Sequence, residues 1–294
     1  MQALTYYITL PFIYLLSILP FRVMYWIADF LYFVFYYVLG YRKDVVLQNL
    51  RNSFPDKNEA ELERIRKAFF HHLSDMFLET FKTLTISPKK MLQHCGISPE
   101  AKALFDKLAN DQKNIILVMG HLGNWEWGGN TFSLTCLQPL YVIYHPLRNK
   151  HFDEMMYKMR TRFGTQLIAM RNTYKEMLGR KTPMSATAFI ADQTPQPDNA
   201  YWTTFLNQDT PVFKGTEIIA RKTGSPIVYA SVRKIKRGYY ELHAEMLLEN
   251  PTNTPDGYIS ELHTKRLEQD IIAYPETWLW SHKRWKHKRP TKLQ

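Results

Sequence analysis

The chain has 294 residues, and its 38 Lys and Arg against 27 Asp and Glu give a formal charge of +11. A content of 45% hydrophobic and 14% aromatic residues allows a sizeable core in one large domain or two small ones. The basic balance favours an anionic partner, which is a nucleic acid, an anionic membrane face or an acidic protein. Cys95 and Cys136 lie in no CxxC pair, so we expect reduced thiols in a reducing compartment and no metal site.

The N-terminal part, residues 3–39, is the most apolar of the chain. Residues 3–21 carry no charge and, at about 1.5 Å per residue, are long enough to cross or nearly cross a bilayer. Tyr and Trp residues recur through this part as they do in an interfacial aromatic belt. We predict that residues 1–43 form a hydrophobic membrane-anchoring segment, which spans the membrane once or lies in its interface. The alternative is a hairpin of buried helices in a soluble core.

A helix is expected after Pro55, because Asn58 and Glu61 have the spacing of a capping box. Short helices are expected around Pro88 and Pro99. These helices lead to a short apolar run that has the pattern of a buried strand.

From residue 114 onward, the pattern alternates between strands and helices. The predicted strands are 115–119, 140–144, 166–169, 186–191, 226–232 and 239–247. The predicted helices are 125–135, 150–163, 173–179, 213–223 and 256–273. Gly224 is expected to end the fourth of these helices, and Gly238 to turn an antiparallel hairpin. This alternation predicts an α/β fold with a mixed, largely parallel sheet flanked by helices, formed by residues 44–294 without an internal linker.

The stretch 114–129 has the features of an active site. His121 follows the strand 115–119 directly, and Glu126 lies five residues further on, among several glycines. There is no GxGxxG, P-loop or GxSxG pattern, so no Ser or Cys nucleophile is expected beside His121. We therefore predict that His121 deprotonates a substrate hydroxyl directly and that Glu126 accepts the other imidazole N–H. The alternative is a structural histidine without a chemical role.

Several motifs resemble one known family. Gly120-His121-Leu-Gly-Asn-Trp-Glu126 is similar to the His-x4-acidic motif of the glycerol-phosphate and lysophospholipid acyltransferase superfamily. The later blocks are closer to the late lipid A biosynthesis acyltransferases of Gram-negative bacteria. These blocks are Tyr144-His-Pro-Leu-Arg-Asn149, Arg162-Phe-Gly164 with Arg171, Ala191-Asp192-Gln193, Phe205-Leu-Asn207, Thr210 to Thr216 and Pro275-Glu-Thr-Trp-Leu-Trp-Ser-His-Lys-Arg-Trp-Lys286. Two positions depart from the pattern: His145 stands where Arg is usual, and Asn207 stands where Gly is common.

The resemblance implies an acyltransferase catalytic domain that moves a fatty acyl chain from an acyl carrier protein thioester to a hydroxyl of a lipid A precursor. It implies no cofactor beyond the thioester co-substrate, and coenzyme A remains open as a second donor. The expected partners are acyl carrier protein, an anionic glycolipid acceptor and membrane phospholipid, with no nucleic acid. The expected location is the bacterial inner membrane, with the catalytic domain facing the cytoplasm.

Candidate substrate-binding residues lie within or beside these motifs. Arg148, Arg171 and Lys214 are candidates for phosphate contacts through charge-assisted hydrogen bonds, with ordinary surface charge as the alternative. Asp192 and Gln193 end a predicted strand and are either acceptor ligands or structural hydrogen-bonding groups. The predicted set is completed by Asn124 and Asn149, and Trp125 and Trp127 are expected to be cleft walls.

The sequence leaves two rival functions open. In the first, the same chemistry acylates a lysophospholipid or an amino-acid lipid rather than a lipid A precursor. Alternatively, the chain is a non-catalytic membrane-surface binding protein. The C-terminal run 282–289 is dense in cations; it is compatible with nucleic acid, but we favour anionic headgroups or acyl carrier protein.

Overall fold

The structure is a computed structural model that describes residues 2–180 and 183–290. Its α-helices are α1 (Gln2–Ile18), α2 (Phe21–Phe33), α3 (Lys43–Ser53), α4 (Glu59–Lys82), α5 (Pro88–His94), α6 (Pro99–Asn110), α7 (Trp125–Thr135), α8 (Lys150–Thr161), α9 (Thr173–Gly179), α10 (Gly215–Thr223) and α11 (Tyr258–Ala273). Its strands are β1 (Cys95–Ile97), β2 (Ile115–Met119), β3 (Leu140–Tyr144), β4 (Gln166–Ala169), β5 (Ala186–Ile190), β6 (Ala200–Phe205), β7 (Gln208–Phe213), β8 (Ile227–Lys236) and β9 (Tyr239–Leu248). A π-helical turn, Val34–Val38, extends α2.

A seven-stranded sheet forms the centre of the fold, in the order β1-β9-β8-β2-β5-β3-β4. All neighbouring pairs are parallel except the hairpin β8–β9, whose turn contains Gly238 at φ 74°. The mixed, largely parallel sheet flanked by helices and the antiparallel hairpin are therefore confirmed. The capping box of α4 and the left-handed Gly224 that ends α10 are confirmed as well.

The structure adds strands that the sequence pattern did not indicate. β6 and β7 form a separate antiparallel hairpin, and their tight turn places Leu206 and Asn207 at positive φ, a conformation that asparagine tolerates well. Phe213 is the last residue of β7, so the helix predicted from 213 begins at Gly215 instead. β1 has only three residues and pairs with β9 alone.

Apolar side chains pack on both faces of the sheet. Successive residues of a strand point to opposite faces, so Ile116 and Val118 join one core cluster while Ile115 and Leu117 join the other. β2 lies between β5 and β8 and is buried along Ile115–Val118, which is why it reads as a continuous apolar run. The end of β2 therefore lies between two packed layers, and the residues after it are held firmly.

The N-terminal helices pack on the rest of the molecule through one side only. Met24 and Ala28 of α2 are buried beside Leu78 of α4, and Asp29 forms an ion pair with Arg237 at 2.6 Å. The opposite side is exposed and apolar, with exposed residues that include Leu4, Ile8, Phe12, Leu15, Trp26, Phe30 and Phe33. One helical stretch of the described residues, Phe21–Val38, is long and apolar enough to cross a membrane by length and composition, and Ala3–Ile18 is a shorter apolar helix.

Candidate active site

The loop between β2 and α7 carries His121 and has little freedom to move. Gly123 has φ +61°, and a Cβ there would lie 1.9 Å from the carbonyl oxygen of Val232, so only glycine fits. Asn124 ends the loop as the N-cap of α7 and accepts a hydrogen bond from the Trp127 N–H at 3.0 Å. The loop is thus anchored between β8 and the start of α7.

Asp192 is the carboxylate that contacts His121. Its Oδ1 lies 2.6 Å from His121 Nδ1, and its Oδ2 accepts the His121 backbone N–H at 2.7 Å. Burial raises the pKa of Asp192, but the charge of His121 and hydrogen bonds from His121 and Trp278 outweigh burial and bring it to about 2. Because Asp192 is ionised, His121 Nδ1 carries the hydrogen, and Nε2 is left free to accept a proton.

The pairing of strands explains this contact. β2 and β5 are parallel neighbours, with Met119 opposite Ile190. His121 and Asp192 each lie two residues beyond that pair, so the two loops bring their side chains together at the carboxyl edge of the sheet. Both strands were predicted from the sequence, but their adjacency was not.

The predicted role of Glu126 as the orienting partner of His121 is corrected by this geometry. Glu126 lies in the first turn of α7, and its carboxylate accepts hydrogen bonds from Arg160 Nε at 3.0 and 3.1 Å. Arg160, from α8, has its pKa raised because the attraction of Glu126 outweighs burial. The Glu126 carboxylate is thus paired with Arg160, while the Nδ1–H of the His121 imidazole donates a hydrogen bond to Asp192.

The C-terminal block closes the back of the site. Trp278 Nε1 donates to Asp192 Oδ2 at 2.8 Å, and the Leu279 N–H donates to the His121 carbonyl at 3.2 Å. The Gly123 N–H donates to the Thr277 carbonyl at 3.0 Å. Arg284 is buried, and burial lowers its pKa to about 10, against the attraction of Asp192. Trp278 therefore holds Asp192, Leu279 holds His121, and Thr277 holds Gly123 in the same loop.

An apolar cavity of about 260 Å³ opens beside His121. Its apolar walls come from the sheet, α7 and neighbouring loops, and its polar lining includes Gln193, whose amide nitrogen lies 3.3 Å from His121 Nε2. The Trp125 ring stands edge-on to the imidazole at 4.9 Å between centroids. Lining residues include Leu117, Trp125, Glu126, Phe132, Leu140, Val142, Arg160, Leu167, Ala188, Ile190 and Leu242.

The predicted substrate-binding residues are distributed unequally. Gln193 lines the cavity, whereas Arg148 is solvent-exposed and does not line it. Asn149 caps α8 by accepting the His151 N–H at 3.0 Å, and Lys214 is the N-cap residue of α10. Arg171 is exposed and lines a second slot.

Asn124 is a correction to the predicted substrate-binding set. Its side chain is fully buried, its Oδ1 caps α7, and its Nδ2 donates to Glu79 Oε2 at 2.8 Å. With both polar atoms engaged, Asn124 holds the loop and does not reach a substrate. Trp127 is likewise fully buried in the core rather than a cleft wall, whereas Trp125 does line the cavity.

Sequence reasoning missed three contributors to the site. Arg160 lies outside every motif that was singled out, so no local signal marked it. Trp278 lies inside the C-terminal block, and its place in that motif was the signal that could have indicated a role for its indole N–H. Glu79 supports Asn124 from α4 and has no sequence signal beyond its place on a helix. Among residues 2–180 and 183–290, no group of three or more His, Cys, Asp or Glu side chains is arranged to hold a metal ion.

The fold and the site together define a class. The imidazole–carboxylate pair lies at parallel strand ends beside an apolar cavity, and no Ser or Cys side chain of the described residues contacts it. Such a pair is suited to activating a hydroxyl against a substrate with a long apolar group. Comparison with protein families matches residues 1–287 to the bacterial lipid A biosynthesis acyltransferases. The chain belongs to that family, and it is therefore an acyltransferase of lipid A biosynthesis.

Two curated relatives agree with this assignment. The chain is 24% identical over 249 residues to the lipid A biosynthesis palmitoleoyltransferase of Escherichia coli (strain K12), a match that covers 83% of this chain and 79% of the relative. The lipid A biosynthesis acyltransferase of Shigella flexneri matches with the same identity and coverage. The resemblance found in the sequence motifs is thus confirmed.

Proposed function

We propose that the protein transfers a fatty acyl chain from an acyl carrier protein thioester to a hydroxyl of a lipid A precursor. One observation carries the proposal: Asp192 fixes His121 Nδ1 at 2.6 Å, and His121 lines an apolar cavity of about 260 Å³. A proton acceptor and an apolar space for an acyl chain are the two things that this reaction requires.

The chemistry follows from the position of the imidazole. His121 Nε2 takes the proton of the acceptor hydroxyl while the hydroxyl oxygen forms a bond to the thioester carbonyl carbon. Asp192 stabilises the imidazolium that results. The tetrahedral intermediate then collapses, the C–S bond breaks, and the carrier thiolate leaves and recovers the proton from His121. The products are an ester on the acceptor and a free carrier thiol.

The developing oxyanion has donors at the start of α7. The first N–H groups of a helix have no partner within the helix, and Asn124 engages that of Trp127. Within the described part of the chain, the N–H groups of Trp125 and Glu126 have no acceptor, and we propose that they donate to the thioester oxygen. Glu126 and Arg160 both line the cavity, and their ion pair sets the charge at its polar part.

The apolar N-terminus supports a membrane-surface location. α2 is held to the catalytic body by the Asp29–Arg237 ion pair and by the hydrogen bond from Tyr25 to Glu79, which are contacts that a helix surrounded by lipid would lose. We therefore favour an interfacial helical hairpin, with its exposed apolar side in the bilayer, over a single span. The inner membrane with a cytoplasmic catalytic domain is the location that this proposal requires. Release by detergent and retention in high salt would support it, and release by salt alone would contradict it.

A direct assay tests the reaction. The detergent-solubilised protein is given one labelled acyl chain, either on acyl carrier protein or on coenzyme A, with a lipid A precursor or a lysophospholipid as acceptor. We expect transfer from the carrier protein to the lipid A precursor, and none with His121→Ala. Preferential acylation of the lysophospholipid would support the rival acceptor, and no transfer to any acceptor would contradict the proposal.

A further inference from the structure

A second apolar slot lies on the face of the sheet opposite the cavity beside His121. It has a volume of about 350 Å³, and Phe189 lines it, whereas Ala188, the preceding residue of β5, lines the first cavity. Adjacent residues of a strand point to opposite faces, so the two spaces are separated by the sheet. Ile143, Met170 and Ile190 line both, so the spaces approach each other at the strand ends.

Two threonines that line the slot have unused hydroxyl groups. Thr216 is 1% exposed and Thr173 is 7% exposed. Neither Oγ1 atom has a hydrogen-bond partner among the described residues, and both are shielded from solvent. Leaving a buried hydroxyl unpaired is unfavourable, because the group loses its hydrogen bonds to water and gains none in exchange. A ligand that accepts hydrogen bonds from both would remove that cost.

The electrostatics of the slot favour an anionic oxygen. Thr216 lies in the first turn of α10, which has nine residues and no side-chain cap, so its N–H groups and dipole favour negative charge. The carboxylate in that turn, Glu217, is engaged by the Gly257 and Ser260 N–H groups of α11. Arg171 stands at the slot without a hydrogen bond or ion pair in the described part of the chain, and no carboxylate lines the slot.

We propose that this slot is the acceptor subsite: it binds an acyl chain that the phosphorylated lipid acceptor already carries, with a phosphate of that acceptor beside it. The chain would lie against Phe189, Ile218 and Ile219. The phosphate oxygens would accept hydrogen bonds from Thr173, Thr216 and Arg171. The inference rests on the proposed function and extends it, since donor and acceptor chains then occupy opposite faces of the sheet and approach each other at its carboxyl edge, where His121 lies.

Kinetics with separated substrates test the subsite. Ile218→Trp fills the half-exposed rim of the slot, and Thr216→Val removes a hydroxyl while keeping the shape. We expect each to raise the KM for the lipid A precursor about tenfold. The KM for the acyl donor and the circular dichroism spectrum should stay unchanged, which shows that the variants are folded. Ile272→Trp, at an exposed position on α11 outside the slot, is the matched control. A rise in the donor KM, or an unchanged acceptor KM in both variants, would overturn the proposal.

A binding measurement separates failure of the subsite from failure of the proposed reaction. The His121→Ala protein is titrated calorimetrically with dodecyl phosphate and with dodecanol, below the concentrations at which they aggregate. We expect dodecyl phosphate to bind more tightly, and Thr216→Val and Ile218→Trp to weaken it in this background, whether or not the wild type acylates a lipid A precursor. Equal binding of the two probes, or binding that neither substitution changes, would overturn the subsite on its own.

Discussion

The two sides of His121 differ in how they use a carboxylate. On the sheet side, the Asp192 side chain is 3% exposed and receives three hydrogen bonds, two from His121 and one from Trp278. On the cavity side, the Glu126 side chain is 14% exposed and is paired with Arg160. The carboxylate nearest in the motif is therefore not the one that orients the base, because the neighbouring strand supplies a closer one.

The largest effect that distinguishes the two sides is expected at Asp192. Asp192→Asn keeps the size of the side chain, but it removes the charge that stabilises the imidazolium and that fixes the tautomer of His121. We expect kcat to fall about 10³-fold with little change in either KM. Thermal unfolding and circular dichroism serve as controls for folding. A variant that keeps more than a tenth of wild-type kcat would contradict the role of Asp192.

A smaller effect is expected on the cavity side. Glu126→Gln leaves the Arg160 guanidinium beside the cavity without its counter-ion, and Arg160→Met leaves the carboxylate without its partner. We expect each to lower kcat/KM about tenfold to a hundredfold, and the double variant to lose no more than either single one, because both remove the same ion pair.

A second double-mutant cycle, between Glu126→Gln and Asp192→Asn, tests whether Glu126 also orients His121. Coupling of Glu126→Gln to Asp192→Asn, together with independence from Arg160→Met, would return Glu126 to the role of orienting His121. The cycle is measured with the labelled-chain assay at saturating donor.

The smallest effect concerns stability rather than turnover. Burial and the nearby charge of Asp75 raise the pKa of Glu79 from 4.5 to about 7, against the hydrogen bonds it accepts. The folded state therefore binds the carboxyl proton of Glu79 more tightly than the unfolded state does. The stability that this proton contributes is lost as the pH rises from 4.5 to about 7. We expect the free energy of unfolding of the wild type to fall across that window by about 2–3 kcal/mol more than that of Glu79→Gln.

The opposite sign applies to Asp192, whose pKa is about 2 and whose stabilisation is lost only as the pH falls through that value from 3.8. Chemical denaturation in detergent across the Glu79 window measures the difference, and Glu249→Gln, at an exposed carboxylate, is the control. Parallel pH dependence of the wild type and Glu79→Gln would show that the pKa of Glu79 is not raised in the folded state.

Local pattern predicts much of this fold and less of its site. β2, β3 and β4 have the predicted bounds because short apolar runs are bounded by turns and polar residues. The β6–β7 hairpin was missed because its strands mix polar and apolar residues without clear alternation, and β7 contains a proline. The contact between His121 and Asp192 depends on which strand lies next to β2, and spacing along one chain does not determine the order of strands. Asn124 was misassigned because burial by α4 is a tertiary effect.

The state of the His121 ring tests the central claim most directly. In protein labelled with ¹⁵N at histidine, the His121 signals are assigned by their loss in His121→Ala. We predict a protonated Nδ1 with a proton shifted strongly downfield by Asp192, an unprotonated Nε2, and loss of that proton signal in Asp192→Asn but not in Glu126→Gln. A ring protonated at Nε2, or a downfield signal that disappears in Glu126→Gln and persists in Asp192→Asn, would contradict the account.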